Sequence, residues 1–111
     1  METLLQDATA RALRYLQQLG DRTVAPAPEA VERLQELDFC LPDEPTDANA
    51  VLRLLDEVGS PATVATAGPR FYGFVIGGAL PVTLAANWLA SAWDQNAGLW
   101  AATPIAAALE E

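Results

Sequence analysis

The stretch RFYGFVIGGALPVTLAANWLASAWDQN, residues 70–96, decides how this chain is read. It opens on Arg70, and no further charge appears until Asp94. The uncharged run 71–93 is long enough to cross a bilayer. Its content argues otherwise. Gly73, Gly77, Gly78, Pro81 and Asn87 fall inside it. Pro81, near the middle, lacks the N–H that a spanning helix needs, and no lysine or arginine follows to fix an orientation. The stretch therefore reads as two pieces buried against protein. The first is an irregular, glycine-rich segment. The second is a helix opened by Pro81, with Leu84, Trp88 and Leu89 plus Ala85 and Ala92 as its apolar stripe.

Upstream, residues 3–19 have Leu5, Ala8, Ala12, Leu16 and Leu19 at helical spacing, and Gly20 suits the stop. After the proline linker at 25–28, Pro28 opens a second helix, with Glu29 four residues before Arg33 and Val31, Leu34 and Leu37 facing inward. A second linker, LPDEPTD, leads to Thr46 as N-cap of a third helix, with Val51, Leu54, Leu55 and Val58 on its inner face. Gly59 and Pro61 mark its end. Downstream, Thr103-Pro104 reads as N-cap and first turn of a fifth helix. The expected fold is mainly α, about five helices with an extended glycine-rich segment near 66–80. It divides into a helical segment 1–60 and a second segment 61–111.

At 111 residues the chain is one domain at most. Fifteen acidic residues against six basic ones give a formal charge of −9. That balance disfavours nucleic acid and anionic membrane surfaces. All six basic residues are arginine, and lysine and histidine are absent. Without lysine no side-chain Schiff base forms, and without histidine the commonest general base and metal ligand is missing. Cys40 is the single cysteine. It reads as a half-buried small hydrophobe in a reducing, cytoplasmic setting, and the N-terminus is not a signal peptide.

Residues 68–110, GPRFYGFVIGGALPVTLAANWLASAWDQNAGLWAATPIAAALE, resemble the N-terminal part of the group II pyridoxal-phosphate-dependent amino-acid decarboxylases, the family of the aromatic-amino-acid and glutamate decarboxylases. The resemblance rests on Pro69 to Tyr72, the glycine pair with Pro81, the helix containing LAANWLASAWDQNA, and the Thr-Pro helix start leading to Leu109-Glu110. Upstream, VLRLLDEVGSPATVATAG is similar to the lead-in of bacterial members. Asn87 departs from the aspartate expected there.

The resemblance implies the first part of a fold-type I enzyme, lacking its large α/β domain. It implies a lyase that is a cytoplasmic homodimer with pyridoxal 5′-phosphate as cofactor and an amino acid as substrate. The family's catalytic lysine and stacking histidine have no counterpart here, so the resemblance assigns this chain no catalytic residue and no covalently held cofactor. It assigns Phe74, Val75, Ile76 and Gly77 to the substrate side of the cofactor pocket, and Asn96 and Gly98 to cross-subunit contacts in a dimer formed through the N-terminal helices. The residues alone leave alternatives open. Gly77-Gly78 reads as a turn or packing device or as a site of ligand approach. Asp94 to Asn96 reads as a polar helix end or as a catalytic cluster. Trp88, Trp93 and Trp100 read as packing anchors or as a cofactor box, and Arg70 as an ion-pairing or capping residue or as a carboxylate binder. A non-catalytic, stand-alone helical interaction module is the alternative function. No metal site is expected.

Overall fold

Prolines and apolar spacing put five helices where the sequence asks for them. The protein is described by a computed structural model covering residues 1–110. Helix α1 is Glu2–Gln18, and α2 is Pro28–Glu32, which tightens into a 3-10 turn at Arg33–Leu37. Helix α3 is Ala48–Leu54 and runs on through a π turn, Leu55–Gly59, and a 3-10 turn, Ser60–Ala62. Helices α4 and α5 are Pro81–Trp93 and Pro104–Glu110. Among the described residues there is no strand, so the chain is mainly α. It forms two compact units, Met1–Gly78 and a second starting at Ala79. The boundary expected at residue 60 falls inside the first.

In the first unit α1 packs on α3, and α2 with its 3-10 extension packs on the turns that follow α3. Leu19, Val58 and Ala65 are its buried apolar residues. This core is smaller than the apolar spacing implied. Ala8, Ala12 and Leu16 are half-buried, while Leu5 is exposed because α1 turns Leu4 inward in its place. Val31, Leu34, Val51 and Leu55, expected inside, are exposed as well.

Local chemistry explains three further departures. Asp47, not Thr46, caps α3: its carboxylate accepts from the Ala50 N–H at 2.9 Å. A charged acceptor is also the stronger choice at the positive end of a helix. Arg33 pairs with Glu36 at 2.7 Å instead of Glu29. The chain tightens to 3-10 geometry at Arg33, where side chains three apart eclipse. Gly59 and Pro61 do not stop the third helix. Pro61 sits in the first positions of the closing 3-10 turn, where no N–H is required, and the backbone becomes extended only at Thr63.

The segment near 66–80 is irregular, with turns instead of an extended run. Bonds of the Gly68 N–H to Ala65 O (3.0 Å) and the Phe71 N–H to Gly68 O (3.4 Å) fold it back on itself. A Cβ on Gly68 would lie 3.1 Å from Ala65 O and 3.3 Å from Leu19 O. The missing side chain is what lets this backbone lie against the end of α1.

In the second unit Pro81 takes the first helical position, and the Leu80 N–H donates to Thr83 Oγ1 at 3.2 Å. Helix α4 ends with Asp94 in the left-handed conformation (φ 49°, ψ 49°), its N–H donating to Ala90 O. Thr103 precedes α5 as expected, but its hydroxyl is fully buried without a partner and does not cap. The Thr103 N–H is held by the Leu99 and Trp100 carbonyls, so the preceding turn fixes the residue inward. No described helix is long and apolar enough to cross a membrane.

Candidate functional site

Five of the six arginines tie the first unit together. The carbonyls at the end of α1 have no basic residue in their own last turn. Arg70 supplies one from far along the chain, donating to Gly20 O at 3.0 Å and to Arg22 O. Arg22 does the converse. It donates to Ser60 O (3.1 Å), Pro61 O (3.2 Å) and Thr63 O (2.8 Å), capping the turns that follow α3. Its guanidinium also lies 5.4 Å from the centre of the Tyr15 ring. Arg33 reaches Glu57 O at 3.4 Å. Arg11 and Arg14 converge on Asp56 at 2.9 and 2.5 Å. Arg11 is further held by Asp7 at 2.8 Å. A planar fork of donors suits such multiple carbonyl capping, whereas a lysine is a single point charge.

These residues border a groove of about 540 Å3, lined by Arg11, Arg14, Tyr15, Arg22, Asp56 and Ser60 among others. Its chemistry is that of a scaffold. Partial burial pushes the Asp56 carboxyl up, but hydrogen bonds from Arg11, Arg14 and Ser60 outweigh it and hold the group below its usual value. Asp56 is thus an ionised acceptor near neutrality and not a general acid. The Thr63 hydroxyl donates to Ser60 O at 2.8 Å, which makes Tyr15 the donor in its 2.8 Å contact with Thr63. The hydroxyl of Ser60 donates to Asp56 Oδ1 at 3.2 Å, but that carboxylate is already held by Arg11 and Arg14. The sequence carried one sign of this cluster, the use of arginine for every cation, but nothing that located the carbonyls.

The expected substrate-wall residues lie on the glycine-rich strip. Phe74 is 88% and Val75 106% exposed, and Ile76 is half-exposed. Phe74 and Val75 both sit at positive φ, 58° and 56°. A branched side chain in that region is an outlier that costs about 1–2 kcal/mol. The turn closes weakly through the Ile76 N–H and Gly73 O at 3.5 Å. Gly77 and Gly78 have open space where a Cβ would stand, and neither adopts positive φ. They serve neither a left-handed turn nor a close packing contact in this unit.

In the second unit Asn96 and Gly98 meet each other: Asn96 Oδ1 accepts the Gly98 N–H at 2.9 Å. Gln95 donates to Trp93 O at 2.8 Å, so Asp94 to Asn96 forms a polar helix end. Trp88, Trp93 and Trp100 are 42%, 49% and 62% exposed and do not act as buried anchors. Cys40, expected half-buried, is exposed in the linker after α2. Among the described residues no cluster of His, Cys, Asp and Glu is arranged to hold a metal ion.

The residues present do not form a holder for pyridoxal phosphate. The chain has no lysine and no histidine, and the guanidinium nearest the strip in sequence, Arg70, is committed to backbone carbonyls. What the strip offers such a group is an apolar wall with an accessible glycine backbone. No family model, no curated protein and no solved structure matches the chain.

Proposed function

We propose that this chain forms the N-terminal part of a pyridoxal-phosphate-dependent amino-acid decarboxylase. There it contributes dimer contacts and one apolar wall of the substrate pocket, while the amine and imidazole of catalysis come from residues outside this sequence. Pyridoxal phosphate, held by residues outside this sequence, would supply the electron sink that decarboxylation requires. The chain's own residues have the smaller task of excluding water and shaping the side-chain pocket.

The observation that carries this reading is the tip of the strip. Phe74 and Val75 are strained at positive φ and almost fully exposed. Backbone strain that buries nothing in its own unit points to a surface used elsewhere, and it lies on the residues that the resemblance assigns to the pocket wall. A second reading, a stand-alone interaction module, draws support from the arginine cluster, which closes residues 1–70 through their own contacts.

Reading the coding frame beyond Glu111 tests the first proposal. It expects a large domain that brings a lysine and a histidine; an immediate stop codon in a translated message favours the module. At the protein level, borohydride reduction with pyridoxal phosphate should label only the α-amino group of Met1.

A further inference from the structure

The glycine-rich strip differs from the rest of the first unit in how its backbone is held. Between Tyr72 and Ala79 the one backbone hydrogen bond among the described residues is the 3.5 Å contact of the Ile76 N–H with Gly73 O. Just upstream the chain is fixed, by the Phe71 N–H on Gly68 O and by Arg70 on the carbonyls of Gly20 and Arg22. Just downstream α4 begins at Pro81. A loosely held stretch is thus bracketed by two anchored ends. Tyr72 and Phe74 stand in it at 91% and 88% exposure.

No other aromatic residue is presented in this way. Tyr15, Trp88 and Trp93 lie in helices, and Phe71 is half-buried. The Trp100 carbonyl accepts the Thr103 N–H in a bonded turn. Phe39 sits between the 3-10 turn ending at Leu37 and Pro42. Leu41 and Leu80 are exposed, but each precedes a proline, whose tertiary amide lacks the N–H and the free φ of an ordinary scissile bond. Exposed loop tips are where proteases nick a folded chain. An endopeptidase takes its substrate as an extended strand, and a well-bonded loop resists that change. Phe74 and Val75 start from positive φ, so becoming extended relieves their strain.

We propose that Phe74–Val75 is a proteolytic processing site, cut by an endopeptidase whose specificity pocket takes a large aromatic side chain. Hydrolysis of this amide consumes one water and leaves a carboxylate on Phe74 and an ammonium on Val75. Residues 1–74 keep every arginine clasp of the first unit, the last of which is made by Arg70. The other product, residues 75–111, carries α4 and α5. The proposal does not rest on the decarboxylase reading, under which cleavage is confined to chains whose strip is still uncovered.

The test treats the intact chain with a trace of chymotrypsin and follows the products by mass over time. The expected first products are 1–74 and 75–111. Phe74→Ser, at an almost fully exposed position, should slow cleavage at this bond about tenfold or more and leave the circular dichroism spectrum unchanged. Trypsin should spare Arg70–Phe71 over the same period, because the Arg70 guanidinium is held on two carbonyls. A first chymotryptic cut after Phe39, Trp100 or any other residue would overturn the proposal. Tryptic cutting at Arg70 on the same timescale would overturn it by showing that the whole end of the unit is open. An unchanged rate in Phe74→Ser would overturn it by showing that the aromatic side chain is not what the protease reads.

Discussion

The two units end their helices by opposite means. Residues 1–78 use cations delivered from a distance. Arg70 caps the carbonyls after α1, Arg22 caps those after α3, and Arg33 reaches Glu57 O. From Ala79 on there is no cation at all, and α4 ends by local devices: a left-handed Asp94 and the Gln95 amide on Trp93 O. The first solution makes each helix end depend on the fold of its unit. The second works within a few residues and carries a cost, since Asp94 places a carboxylate at the negative end of a helix.

The contrast can be broken most sharply at Arg22. Replacing it with alanine removes the bonds to Ser60 O, Pro61 O and Thr63 O. Hydrogen bonds from a charged donor are worth more than neutral ones, so the loss should be about 2–3 kcal/mol in urea unfolding followed by circular dichroism. Amide exchange should rise around 58–65 and stay unchanged in α4. Arg22→Lys should recover less than half of the loss, because an ammonium cannot span three carbonyls. Equal protection of the turns in the alanine variant would show that the capping is incidental.

Acid should separate the units next. The folded pKa of Asp56 lies below its unfolded value, so its contribution is present above that unfolded value and disappears as pH falls through the folded one. The first unit should lose stability below about pH 4, the usual carboxylate range. Asp56→Asn should flatten that part of the pH profile and lower stability at neutral pH by about 1 kcal/mol, the upper end for partly exposed ion pairs. An unchanged profile in the asparagine variant would assign the acid sensitivity to other carboxylates.

The smallest change expected is a gain. Asp94→Gly removes both the left-handed strain and the adverse charge, and should stabilise α4 by roughly 0.5–1 kcal/mol. The readout is thermal loss of helical signal, with no change in amide exchange at Ser60 to Ala65. A loss of stability would mean that the Asp94 side chain has a role its backbone geometry does not reveal.

Helix starts were legible in the sequence because they are local. Pro28, Pro81 and Pro104 each stand at a first helical position, and spacing alone identified α1 and α4. Helix ends were less legible. Gly20 and Gly59 both suggested helix stops, yet no described glycine adopts the positive φ with which glycine ends a helix. In the first unit the carbonyls just beyond α1 and α3 are held by side chains some forty to fifty residues away, and a local pattern does not record that. The Asp47 cap and the Arg33–Glu36 pair were each misplaced by a small step, because the winding of the backbone selected between neighbouring side chains. Of the candidate site, the apolar identity of the strip from Phe74 to Gly77 was readable. The positive φ of Phe74 and Val75 was not, since neither residue type favours it.

Arg22 and Arg70 recognise main-chain oxygens, and every residue type carries one. Positions 20 and 61 can therefore change side chain without erasing what the arginines grasp, provided the backbone path is kept. The two guanidiniums have no such substitutes. Mutational tolerance in this unit should accordingly be lopsided: permissive at the grasped positions and strict at the two that do the grasping, so that a library scored for folding would recover diverse residues at 20 and 61 and arginine at 22 and 70.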